Sequence, residues 1–164
     1  MRATRVADGI WVGSDQDVPL AQAQGKAIVT LAKHGPYGHA KTLGYGSGAA
    51  PQGPERLWAV RGDHLITNAV DSEAGHPDSY AIFDEAVRYA LAMKAEKKDL
   101  LIHCNQGQSR APSVAVAVLM DLGLLPKNLF SAITEFKKLY PSYAPRGGVM
   151  DWLKRRSMHH AVSS

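Results

Sequence analysis

Leu100-Leu101-Ile102-His103, followed directly by Cys104-Asn105-Gln106-Gly107-Gln108-Ser109-Arg110, decides how this chain is to be read. The first four residues are apolar until the histidine, as an interior parallel strand requires. From Arg110 to Leu122 the chain is again largely apolar and closes at Gly123, the pattern of a buried helix. The segment from His103 to Arg110 therefore wraps around a helix N-terminus. Amides there lack partners and the helix dipole adds partial positive charge, so such a turn binds a tetrahedral dianion. Gly107 can take the positive φ that lets successive amides converge. Arg110 adds a planar fork that grips two oxygens at once, which a lysine cannot do. Phosphate-binding positions are thus expected at Asn105, Gln106, Gly107, Gln108, Ser109 and Arg110.

A cysteine at the base of that cradle sits in the same positive field, which favours its thiolate. An isolated cysteine after an apolar strand is ordinarily an inert, buried small hydrophobe. Cys104 instead shares one strand-to-helix turn with His103, Gly107, Ser109 and Arg110, so it reads as a nucleophile. Attack on phosphorus would give a phosphocysteine intermediate. Charge on the equatorial oxygens would be held by the amides and Arg110, the main catalytic task in phosphoryl transfer. His103 takes a supporting role, a hydrogen-bond network behind the loop.

Outward from this segment, strand and helix patterns alternate. Residues 9–13, 27–31 and 64–70 read as strands, and 18–24, 79–97 and 129–139 as helices, with Asp78 or Ser79 able to cap the second of these. Alternation of this kind implies an α/β fold, a mostly parallel sheet covered by helices on both faces. Lys33 to Pro54 stands apart. It holds Gly35, Pro36, Gly38, Gly44, Gly46, Gly48, Pro51, Gly53 and Pro54, too many turn formers for a regular element, and reads as a long surface loop. Such an insertion is either a plain mobile excursion or the wall of a substrate cleft. Residues 1–155 are expected to form one domain and residues 156–164 a disordered tail that includes His159-His160.

Composition narrows the function classes. With 45% hydrophobic and 21% charged residues the chain can bury an ordinary core, and no run reaches the ~18 apolar residues of a membrane span. No secretory h-region opens the sequence. A single cysteine forms no internal disulfide, which fits a reducing, cytoplasmic setting. The net charge of +4 suits solubility or attraction to anionic substrates. Basic residues do not gather in an aromatic-interleaved block, so nucleic-acid binding has no support. No metal site or cofactor is expected.

The central segment resembles the Cys-x5-Arg signature of protein tyrosine phosphatases, in the His-Cys-x-x-Gly-x-Ser-Arg form of the dual-specificity phosphatases. Ile10-Trp11-Val12-Gly13-Ser14 and Gly25-Lys26-Ala27-Ile28-Val29-Thr30-Leu31-Ala32 resemble that family's first two strands. Ala132 through Leu153, with Tyr140-Pro141-Ser142-Tyr143-Ala144-Pro145, is similar to its C-terminal helix and loop; Lys33 to Pro54 matches poorly. The resemblance implies a general-acid aspartate on a loop after an earlier strand, and Asp71 stands there. Loops at the strand C-termini of a parallel sheet share one edge, so Asp71 and Cys104 can converge, and a carboxylic acid can protonate the leaving group. Asp78, as a helix cap, and Asp63, before the strand, are weaker rivals.

One residue departs from the family. A serine or threonine usually follows the arginine and helps the thiolate leave; here Ala111 stands in its place, and Ser113 would face elsewhere. The expectation is slow breakdown of phosphocysteine. Neutral Asn105, Gln106 and Gln108 argue against inositol lipids, whose phosphatases carry cations there. The substrates expected are phosphotyrosine, with phosphoserine and phosphothreonine after it, on a protein or peptide partner. RNA 5′-phosphates stay open through Lys33, His34, His39 and Lys41, and so does a module that binds phosphorylated ligands without turnover. Sulfur or arsenate chemistry would need further cysteines. Tyr37 and Trp58 are candidates for the cleft mouth, although packing explains an aromatic there as well.

Overall fold

The strands that read as wholly apolar lie at the centre of a six-stranded sheet. The computed structural model describes residues 2–46 and 48–163. Strands β1 (Thr4–Ala7), β2 (Ile10–Gly13), β3 (Ala27–Leu31), β4 (Trp58–Arg61), β5 (His64–Thr67) and β6 (Leu100–His103) stand in the order β1-β2-β6-β3-β5-β4. The four inner strands are parallel, and each outer strand pairs antiparallel with its neighbour. Every residue of β3 and β6 is buried, as strands covered on both faces must be.

Helix α1 (Val18–Ala23) covers one face, and α3 (Pro77–Ala95), α4 (Arg110–Asp121), α5 (Leu129–Leu139) and α6 (Gly147–Ser163) build the other layer. The faces are unequal. Val18 and Ala21 form a small cluster with Ile28 and Leu101 on the first, flanked by Ala3, Trp11 and Tyr37, whereas the second holds the main core around Phe83, Val114, Phe136 and Trp152. Helix α4 is buried from Arg110 to Leu119 because α3, α5 and α6 surround it, which explains its apolar run. Among the described residues, no helix is long and apolar enough to cross a membrane.

Three expectations change. The insertion is not without regular structure: α2 (His39–Leu43) forms within it, with His39 and Ala40 buried and Gly44 ending it at φ 82°. Gly38 and Gly44 bound this short helix rather than interrupt it. Helix α3 begins at Pro77, and its cap is His76, whose ring accepts from the Asp78 amide at 3.1 Å; neither Asp78 nor Ser79 caps it. The chain also stays helical through Ser163 where a disordered tail was expected. Burial of Trp152 and Leu153 and the Arg156 bridges to Asp84 and Asp121 (3.2 and 2.6 Å) hold this helix down. Ser164 lies outside the described residues.

Strands β1 and β4 carried no signal that sequence reading used. Each is a four-residue edge strand, too short for a period to show.

Candidate active site

Parallel pairing brings the C-terminal ends of β2, β6, β3 and β5 to one sheet edge, with Gly13 and Thr30 flanking His103 in register. Cys104 leaves β6 at that edge and α4 begins six residues later, so the loop 104–109 closes over the helix N-terminus. Cys104 is 2% exposed, and its Sγ accepts from the Ala111 amide at 3.5 Å. Gly107 has φ 75°. A Cβ there would lie 2.8 Å from Gly13 O and 2.9 Å from the Tyr140 hydroxyl, so glycine is required by conformation and by space.

Four of the loop's carbonyls are occupied by donors of neighbouring segments. Asn105 O accepts from the Asp15 amide (3.3 Å), Gly107 O from the Tyr140 hydroxyl (2.5 Å) and Gln108 O from the Ala144 amide (2.8 Å). Ser109 O accepts from the Ser113 hydroxyl at 2.6 Å, so Ser113 does face away from Cys104, toward Tyr143. The amides of Asn105 through Arg110 donate to no other described residue. Carbonyls out and amides free is the arrangement of an anion nest.

Arg110 is 9% exposed. Its Nη1 donates to Ala69 O and its Nη2 to Asn105 Oδ1, each at 3.0 Å. Its Nε is buried with no partner. Among the described residues the only other such side-chain atom is the Tyr89 hydroxyl, far along α3. A buried guanidinium N–H without an acceptor is costly unless something anionic meets it.

Asp71 stands at the same edge, its Oδ1 accepting from the Ser109 hydroxyl at 2.9 Å. The segment entering α6 clasps its loop: Arg146 Nη1 donates to Asp71 O, Arg146 Nε pairs with Glu73 at 2.7 Å, and the Gly148 amide reaches Ser72 O at 2.9 Å. Asp78 is turned to Arg56, and Asp63 to Lys98 at the other end of the sheet. Of the loop side chains, Gln106 and Gln108 are exposed, so only their backbone faces the loop's interior.

Behind the loop His103 joins a hydrogen-bond network whose partners the sequence did not disclose. His103 Nε2 and His64 Nε2 both lie 2.6 Å from the Thr30 hydroxyl, while His103 Nδ1 is 3.4 Å from Asp15 Oδ1. Burial, and then the neighbouring His103, push His64 down to about 4. Burial alone would raise the Asp15 carboxyl, but hydrogen bonds from His103 and Asn105 hold it below the usual carboxylate range. Burial and then the charge of Cys104 push Tyr140 up to about 12, so its hydroxyl stays a donor to Gly107. Asp15 follows β2 as Asp71 follows β5, so the shared-edge rule applied to Asp71 would also have found it.

Of the insertion, the first residues reach the site. His34 O accepts from Asn105 Nδ2 at 3.1 Å, and Tyr37 packs edge-on against His103. Lys33 turns to Ala49 O and His39 is buried against Tyr45 and Glu55. Trp58 packs on the core. Among the described residues, no group of three or more His, Cys, Asp or Glu side chains is placed to hold a metal ion.

No protein-family model and no curated protein matches the sequence. Solved structures do match over nearly the whole chain. Human DUSP28 superposes with a TM-score of 0.71 at 20% identity, over 98% of this chain and 99% of that one. The chain has the dual-specificity phosphatase fold. The same architecture holds the PTP-2 phosphatase of Cydia pomonella (TM-score 0.66, 21% identity, 93% and 88% of the two chains). It also holds the human tyrosine phosphatase-like serine/threonine/tyrosine-interacting protein (TM-score 0.66, 13% identity, 98% of both). In this phosphatase fold the loop 104–109 and the Asp71 loop share the edge where the parallel strands end.

Proposed function

We propose that the protein is a cysteine-dependent phosphatase of dual-specificity type. The observation that carries this reading is the loop 104–110, with outward carbonyls held, amides free and a buried Arg110 Nε lacking an acceptor. A phosphate monoester enters with its oxygens on those amides and on Arg110. Cys104 attacks phosphorus, forming the S–P bond as the P–O bond to the leaving group breaks. Asp71 protonates the departing oxygen. Water then cleaves the S–P bond, releasing phosphate and the thiolate. His103 supports the strand end from which Cys104 projects.

Phosphotyrosine on proteins is the leading substrate, with phosphoserine and phosphothreonine behind it. An open groove of about 700 Å³ adjoins the Asp71 loop, lined among others by Lys33, Gln52, Arg56, Val70 and His76, and gives room for residues flanking the phosphorylated one. One residue favours a second reading. Ala111 offers the leaving thiolate its backbone amide but no hydroxyl, which suits capture of phosphorylated ligands with slow turnover.

Hydrolysis of an aryl phosphate decides between them. Wild type should turn over, and Cys104→Ser should lose activity by orders of magnitude. In wild type, a burst of aryl alcohol should precede a slower steady state, and Ala111→Ser should speed that steady state. Wild type as inactive as Cys104→Ser would leave only the binding module.

A further inference from the structure

Asp15 touches both neighbours of Cys104 although it lies 89 residues earlier in the chain. Its position is set locally. Ser14 and Asp17 form a capping box at the end of β2, with the Ser14 amide donating to Asp17 Oδ2 at 2.8 Å and the Gln16 amide to Ser14 Oγ at 3.3 Å. The turn leaves the Asp15 amide on Asn105 O and the Asp15 carboxylate on the Asn105 side chain.

The Asn105 amide is confined by what surrounds it. Its Nδ2 donates to Asp15 Oδ2 (3.0 Å) and His34 O (3.1 Å), and its Oδ1 accepts from Arg110 Nη2 (3.0 Å). Two acceptors stand on one side and a pure donor on the other. Reversing the amide would set oxygen against carboxylate and NH2 against guanidinium, so only one orientation is tolerable. That orientation presents Oδ1 to Arg110. With Nη1 on Ala69 O, the guanidinium is then fixed at two points, and Nε remains for an oxyanion.

A carboxylate so near an anion-binding loop would repel the ligand if it served only as a local charge. It does not face the cradle directly, because the Asn105 amide stands between it and Arg110. We infer that Asp15 is a positioning residue for Arg110, acting through Asn105 to aim the guanidinium at the bound oxyanion. The inference rests on the phosphatase reading above.

The test is inhibition of aryl phosphate hydrolysis by orthovanadate, a tetrahedral oxyanion, in full-length protein. Asp15→Ala should weaken inhibition about ten- to hundredfold, the size of a lost hydrogen bond to a charged group. Asp15→Asn, whose side-chain oxygen still accepts from Asn105, should stay close to wild type, a rescue that a loss of general stability would not show. Asn105→Ala should match Asp15→Ala, and the double variant should be no worse than the worse single one. Asp15→Ser, compatible with the turn, serves as the second truncation if Asp15→Ala does not fold. Undiminished vanadate affinity in the truncations, or additive losses in the double variant, would overturn the inference alone. Wild type without affinity for vanadate would overturn the phosphatase reading, and this inference with it.

Discussion

Residues 103–105 are held from the strands on either side of β6 by charged and titratable groups, whereas residues 107–109 are held from the 140–146 segment by a phenol and backbone amides. The first half rests on Asp15, Thr30 and, through Thr30, His64. The second rests on Tyr140, Ala144 and the Arg146 amide, which donates to Ser109 Oγ at 3.0 Å. Both do the same work, turning carbonyls away so that the amides face inward. They differ in what can disturb them. Protonation reaches the supports of the first half, while the contacts that the 140–146 segment makes to the second are disturbed by steric change or removal of the phenol.

The strongest disturbance of the second half is Gly107→Ala. The new methyl meets Gly13 O and the Tyr140 hydroxyl at a positive φ, so stability should fall by about 2–5 kcal/mol and oxyanion binding should collapse. Urea unfolding and vanadate inhibition measure both. Tyr140→Phe is milder, because it keeps the ring packed on Phe136 and removes only the hydroxyl. Gly107 O then loses its donor, at a cost of about 1–3 kcal/mol. A variant as stable as wild type would show that this half does not depend on Tyr140.

The first half should respond to pH. His64 is held neutral in the fold, at about 4 against 6.5 for an ordinary histidine. The unfolded chain therefore binds more protons below 6.5, and stability is lost as pH falls from 6.5 toward 4. Buried His39, pushed down in the same direction, adds to that slope. Urea midpoints through this range should flatten in part in His64→Gln. An unchanged slope would mean that the histidine pair around Thr30 does not govern acid sensitivity.

The loop itself was legible because its chemistry is contiguous. A strand, a glycine, an arginine and a helix stand side by side between Leu100 and Leu122, and each constrains its neighbours. Asp71 was legible by topology, since parallel strands end at one edge. The supports were not. Thr30, His64 and Tyr140 sit in ordinary local patterns, and nothing in their own neighbourhoods marks a polar partner dozens of residues away; Asp15 alone lay within reach of the edge rule that places Asp71. The insertion misled for the converse reason: its turn formers were plain, but the burial that folds His39–Leu43 into a helix is not written in propensity.

By itself the sequence determined the α/β alternation, the buried helix after the cysteine and the glycine-bearing turn at the start of that helix, because hydrophobic period and helix-end chemistry are local properties. The tertiary structure alone decided which groups hold that turn open. Hydrogen-bond partners of a loop are chosen by proximity in space, and here that choice joins the ends of β2 and β3 and the entry to α6 around one cysteine.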